Sequence, residues 1–251
     1  MNSIPEIDNI STVKNSIKKP IHLLQPYYDI INTFEIGLDE AGRGPLFGRL
    51  YVAAVILPKD DSFKHADIKD SKRFSSKKKI KEVSDYIKSN SIVWSIQYIE
   101  AEEIDRINIL QSVLKAMHLC IKECIHKMNQ LTANLIGEYV ISASDYLLLV
   151  DGNQFKPYMH YNELTEKFEC IRHEMIEGGD NKYTAIAAAS ILAKVARDQY
   201  IADLCLENPE LSLRYHLDTN MGYGTKQHMA GILEYGITEK HRKSYSPCNK
   251  Y

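Results

Sequence analysis

The chain has 251 residues, 44% of them hydrophobic, enough to close a full core in one domain with appendages. Its 31 basic residues against 33 acidic ones give a net charge of -2, which excludes a globally basic nucleic-acid binder and leaves any such role to local patches. Five cysteines, an odd count with no CxxC pair, speak against a disulfide framework and for free thiols in a reducing compartment.

Residues 1–33 are polar, carry Pro5, Pro20 and Pro26, and read as an N-terminal extension or docking arm. No signal peptide is visible there, since the apolar residues are scattered among Glu6, Asp8, Lys14, Lys18 and Lys19. The ordered domain is expected over 34–251. Phe34 to Asp39 reads as a strand, and the apolar run Leu50 to Leu57 as its hairpin partner. Lys77 to Ser89 reads as a short basic helix. Ser91 to Glu100 alternates Ile92, Trp94, Ile96 and Tyr98 with polar residues, the pattern of a half-buried strand.

Ala101 to Met128 predicts one long helix with an apolar stripe of Ile104, Ile107, Leu110, Leu114, Met117 and Ile121. Cys120 and Cys124 share a face of that helix and read as core, since two thiols without partner ligands do not make a zinc site. Residues 129–144 read as a lengthened connection, Tyr146 to Val150 as a buried strand, and 171–176 as another. An Ala-rich helix is expected to about Leu206, then short elements to the end. The longest apolar run, around Ala185 to Ala193, is too short to span a bilayer, so a cytoplasmic protein with no membrane association is expected. A hairpin followed by mixed strands and helices argues for an α/β layered domain.

Two apolar strands end in acids, at Asp39-Glu40 and at Asp151, and Asp180 stands in a Gly-Gly-Asp turn before a buried helix. Strand ends in α/β sheets are where ligands gather. Carboxylates converging there repel one another unless divalent cations sit among them, and oxygen-only ligation favours Mg2+ or Mn2+. Singly, Asp180 reads equally as a helix N-cap, and Asp151-Gly152 reads sooner as an ordinary strand-to-loop turn. Asp39 and Glu40 are neighbours, so both can reach one site only if the strand is ending.

Asp39-Glu40-Ala41-Gly42-Arg43-Gly44-Pro45, followed by Gly48 and an apolar strand, resembles the opening signature of the type 2 ribonucleases H, the ribonuclease HII family. Further blocks follow in the family's order. They are Asp70-Ser71-Lys72-Arg73-Phe74-Ser75, then Glu103-Ile104-Asp105 with Asn108-Ile109-Leu110, then Asp151-Gly152. Gly179-Asp180 leads through Ala187 to Val195 and Arg197-Asp198, and the tail carries Gly222-Tyr223-Gly224-Thr225, His228 and His241-Arg242.

The resemblance implies a ribonuclease-H-like mixed β-sheet flanked by helices, with a C-terminal helical and loop substrate-binding segment over about 207–251. It implies an endoribonuclease that hydrolyses the RNA strand of RNA–DNA hybrids and cuts at ribonucleotides embedded in duplex DNA. Two-metal-ion catalysis would leave 5′-phosphate and 3′-hydroxyl ends, in ribonucleotide excision and DNA replication. Carried over residue by residue, it makes Asp39, Glu40, Asp151 and Asp180 the catalytic acids, holding Mn2+ or Mg2+. Gly42, Arg43 and Gly44 would hold the ribose 2′-hydroxyl region, Tyr223 would stack beside the junction, and Lys72 would touch a phosphate. A monomer is expected, and no clamp-binding peptide is recognisable at either end. Phe47, Arg49, Asn181 and Met221 depart from the commonest family pattern. A ribonuclease HIII-like enzyme and a non-catalytic hybrid-binding module are the rival expectations. About thirty residues before the domain are too few for the first, and retention of all four acids argues against the second.

Overall fold

The computed structural model describes residues 23–30, 34–136, 141–162 and 165–251. The expectations for 1–22 lie outside the described residues. Of the expected extension, Leu24 is buried, and Gln25 bridges to Tyr183, its amide donating to the Lys182 carbonyl.

Strands β1 (Phe34–Ala41) and β2 (Leu50–Ile56) form the expected antiparallel hairpin, and β3 (Val93–Ile99) follows helix α1 (Lys77–Asn90) to pair with β2. The single long helix expected from Ala101 is instead two, α2 (Ala101–Ile107) and α3 (Ile109–Ile136). Asn108 breaks it with φ +65 and ψ 166, a strained backbone that a residue with a side chain rarely adopts, and its Oδ1 accepts from the Gln111 amide. The break re-phases the helix. Val113, Ala116, Met117, Cys120, Ile121 and Cys124 are buried, while Leu110 and Leu114 are only half-buried. Helix α3 also runs through the first part of the stretch read as a connection.

Strand β4 (Tyr146–Asp151) pairs parallel to β1. A hairpin of β5 (Met159–Asn162) and β6 (Lys167–Cys170) then intervenes before β7 (Arg172–Ile176) pairs parallel to β4. The five-stranded order is β3-β2-β1-β4-β7. Helix α4 (Thr184–Glu207) follows, then α5 (Glu210–Tyr215), α6 (Leu217–Asn220) and α7 (Lys226–Tyr235).

Both faces of the sheet are covered, which is why β2 is apolar throughout and buried along its whole length. Leu38, Val52 and Ala54 pack with Met117, Cys120 and Ile121 of α3. Ala53 and Val55 pack with Ala187, Ala188, Ile191 and Leu192 of α4, and with Ile80 and Val83 of α1. Cys120 and Cys124 are core thiols, as expected, and burial pushes Cys120 up to about 12. The alternation in β3 had a different outcome. Ser95 is buried and Tyr98 exposed, because β3 is an edge strand whose α3-facing side carries the small polar residue.

A third core joins Leu46 and Phe47 to Ile201, Tyr215, Leu217, Ile232 and Cys248, binding the C-terminal elements to the loop after β1. A histidine pair lies within this module. The Thr238 amide donates to His241 Nδ1, so the neutral ring carries its proton on Nε2 and donates across 3.1 Å to His228 Nε2. His228 Nδ1 then donates to the Tyr223 carbonyl. Burial lowers His228 from its ordinary 6.5, and burial with the neighbouring His228 lowers His241 to about 3. Below pH 6.5 the folded state therefore binds fewer protons than the unfolded chain, and stability falls as pH falls. His241→Gln is expected to flatten the loss of melting temperature between about pH 7 and about 5. An unchanged slope would exclude the pair as a source of acid sensitivity.

Candidate active site

Asp39 and Glu40 lie near the end of β1, Asp151 closes β4, and Asp180 sits in a 3₁₀ turn, Gly179–Asn181, between β7 and α4. Strand β1 keeps pairing with β2 as far as Ala41 but leaves β4 after Leu38. The sheet opens there, and all four acids line one cleft of about 290 Å³, together with Gly42, Lys72 and Tyr223. Asp180 is not the N-cap of α4, a position held by Tyr183. Asp151 both leads into a turn and lines the cleft: Gly152 takes φ +94, while the Asp151 carboxylate accepts the Gly179 amide at 2.7 Å.

Each acid has a protein partner. Asp39 accepts from the Glu40 amide at 2.7 Å, and Ser190, whose hydroxyl meets that of Ser71 at 3.2 Å, lines the same cleft. Glu40 meets Arg43 at 3.2 Å, and Asp180 meets Lys72 at 3.7 Å. Burial pushes the Asp39 carboxyl well above the ordinary carboxylate range, and the charges of Glu40 and Asp151 add to it. Burial is also the main cause of the upward shifts of Glu40 and Asp151. Among the described residues, no three His, Cys, Asp or Glu side chains are closed into metal-holding geometry. The acids share a cleft rather than a finished cage, as expected of like charges held on three separate elements. The donor set fits a hard divalent cation: it is oxygen-only, anionic and desolvated.

Helix α4 contributes more than its sequence announces. Ser190, Lys194, Arg197 and Asp198 all line the cleft. Their spacing puts them on one helical face, a polar stripe on an apolar helix, and that was the available signal. Lys194 pairs with Asp198 at 2.6 Å, whose other oxygen is buried without a protein partner, as is Arg197 Nε. Arg197 donates to the Met221 carbonyl at 2.7 Å and lies 5.6 Å from the Tyr223 ring centroid. Tyr223 is 47% exposed, and its ring faces Gly44, where an added Cβ would stand 3.7 Å away. Lys72 is exposed at the cleft edge beside Asp180.

The family model described as Ribonuclease HII matches residues 36–248. The chain belongs to the ribonuclease HII family. It is 40% identical over 224 residues to the Ribonuclease HII of Parabacteroides distasonis, covering 89% of this chain and 95% of that one. Against the Ribonuclease HII of Bacteroides thetaiotaomicron it is 38% identical, covering 89% and 94%.

Among solved structures, the ribonuclease H2 of Pyrococcus horikoshii superposes with a TM-score of 0.62 at 19% identity, covering 86% of this chain and 95% of that one. The ribonuclease HII of Archaeoglobus fulgidus, solved in complex with PCNA, gives 0.56 at 21% identity, covering 85% and 95%. A Bst ribonuclease HIII solved with Mn2+ gives 0.54 at 18% identity, covering 87% and 69%. These likenesses establish the ribonuclease-H-like fold. The family membership makes the chain a metal-dependent endoribonuclease of the ribonuclease H class. Among the described residues, no helix is long and apolar enough to cross a membrane.

Proposed function

We propose that this ribonuclease HII hydrolyses the RNA strand of RNA–DNA hybrids and cuts at ribonucleotides embedded in duplex DNA, leaving 5′-phosphate and 3′-hydroxyl ends. The observation that carries the reading is the convergence of Asp39, Glu40, Asp151 and Asp180 on one cleft that also exposes Tyr223 beside the Gly42-Arg43-Gly44 loop. In this reading the four acids hold two divalent cations, Mn2+ or Mg2+. When bound, the cations supply charge neutralisation at the phosphate and make water a competent nucleophile at neutral pH.

The chain's own residues do the choosing. A 2′-hydroxyl is what separates RNA from DNA at a given nucleotide. The open backbone at Gly42 and Gly44 lets it approach main-chain donors without an intervening side chain. Tyr223 supplies a ring for the sugar next to the junction, and Lys72 a cation for a backbone phosphate. The basic face of α1, with Lys77, Lys78, Lys79 and Lys81 exposed, extends positive charge beyond the cleft. The reading extends to a monomer working in the cytoplasm, in ribonucleotide excision and DNA replication.

Product mapping tests this directly. With Mg2+ or Mn2+, a DNA duplex carrying one ribonucleotide and a full hybrid should both be cut, each leaving a 3′-hydroxyl. Cleavage of the hybrid alone would remove the embedded-ribonucleotide part of the reading. Tyr223→Ala is expected to lower kcat/KM on the single-ribonucleotide duplex by about tenfold, the scale of one aromatic stacking contact. Tyr223→Phe should keep most of the activity, since the ring rather than the hydroxyl is used. Equal activity of Tyr223→Ala and the parent protein would remove Tyr223 from the substrate contacts.

A further inference from the structure

Arg242 is fully buried, yet among the described residues no carboxylate pairs with it. Its guanidinium is spent on main-chain carbonyls of the loop after β1, about 200 residues earlier in the chain. Nη2 donates to the Gly42 carbonyl at 2.7 Å, Nη1 to the Arg43 carbonyl at 3.0 Å, and Nε to the Gly48 carbonyl at 3.0 Å. The Tyr245 hydroxyl donates to the same Arg43 carbonyl at 2.8 Å. Nη1 also reaches the Tyr245 hydroxyl at 3.4 Å. Burying a cation with no carboxylate partner is expensive. An aliphatic side chain would fill the space at less cost, so the fork has some use other than packing.

The use follows from peptide geometry. In a trans peptide the C=O and the following N–H point in opposite directions. The cis bond among the described residues is Ser246-Pro247, so the Gly42-Arg43 and Arg43-Gly44 peptides are trans. With both carbonyls turned inward onto Arg242, the Arg43 and Gly44 amides are turned outward, to the exposed side where Gly44 faces the Tyr223 ring. A lysine could hold one carbonyl at a time; the planar guanidinium holds several in a fixed relation.

We propose that Arg242 is the positioning residue of the 2′-hydroxyl-reading loop, setting the direction of the Arg43 and Gly44 amides from behind, with Tyr245 as its second support. The inference rests on the proposed role of that loop. It assigns recognition to a residue that never touches the nucleic acid.

The test is a discrimination ratio. kcat/KM is measured on a DNA duplex with one ribonucleotide and on the same duplex with a 2′-fluoro nucleotide there, which keeps the sugar pucker but is a far poorer hydrogen-bond acceptor for the two amides. The parent protein should favour the ribonucleotide. Arg242→Lys should lower that preference by about tenfold and Tyr245→Phe by about threefold, the range of one misaligned hydrogen bond. General damage to the fold would lower both rates and leave the ratio unchanged. If Arg242→Lys fails to fold, Tyr245→Phe decides alone, because it removes one hydroxyl from a half-buried ring. A parent protein that does not discriminate would overturn the reading of the loop itself. A discriminating parent whose folded variants keep the full ratio would overturn only the role of Arg242.

Discussion

Asp39→Asn is expected to lower metal-dependent cleavage of a hybrid by at least about a thousandfold, and to raise the melting temperature measured in chelator. Both follow from the same facts. Asp39 is 5% exposed, and burial together with Glu40 and Asp151 makes its ionised form costly in the folded chain. The amide keeps the side-chain shape and an acceptor for the Glu40 amide, so the strand end has no reason to rearrange. It removes only the charge. A carboxylate that helps hold divalent cations is worth several kcal/mol to phosphodiester cleavage, and each 1.36 kcal/mol is tenfold in rate, hence roughly a thousandfold or more. The same charge, free of cations, opposes folding, so its loss should stabilise. Single-turnover cleavage with saturating Mg2+ or Mn2+ and thermal melting in chelator measure the two effects. Retained cleavage would sink the assignment of Asp39. A lower melting temperature would mean that its hydrogen bonds matter more than the repulsion.

The pair Asp39-Glu40 stood out in the sequence because acids at the end of an apolar strand are costly without a cationic partner. Asp151 also ended an apolar strand, but alone it read sooner as an ordinary strand-to-loop turn. The local signal placed Asp39 and Glu40 at the end of β1; Asp151 was placed as a site residue by the family resemblance. Asp180 was locally ambiguous, and the start of α4 at Thr184, after Tyr183, removes its reading as an N-cap. The break at Asn108 was not legible, since one Asn in a helical pattern costs little and only the packing of α2 and α3 fixes its φ. The β5–β6 hairpin was missed because its strands are four residues long, with Met159 and Phe168 exposed, too short for alternation to show. Lys194 takes no role from the sequence, whereas its face of α4 lines the cleft. Arg242 was out of reach altogether: its partners are carbonyls, and carbonyls leave no trace in a sequence.

Gly37→Ala is expected to destabilise the protein by about 3 kcal/mol or more, the upper end for overpacking a core. Gly37 lies in β1, and its φ is outside the left-handed region, so backbone freedom is not why glycine stands there. Space is. A Cβ at this position would lie 2.3 Å from the carbonyl carbon of Ala185, 2.5 Å from its oxygen and 2.7 Å from its Cβ. Main-chain atoms at the start of a buried helix cannot swing aside as a flexible side chain can, so α4 must move off the sheet as a body. That displacement reaches the chemistry. Strand β1 carries Asp39 and Glu40 two and three residues on, while α4 follows the Asp180 turn and carries Ser190, which lines the same cleft. Molecules of Gly37→Ala that still fold should therefore also cleave more slowly. Gly178→Ala is the control: φ is +62 there, in the left-handed helical region, but no atom stands within 4 Å of the added Cβ, so only backbone strain of about 1–2 kcal/mol is expected. Urea unfolding of the two variants separates packing from backbone strain. Equal losses would mean that β1 and α4 can part without cost, and that the closeness of these two elements is not what holds the acids in register.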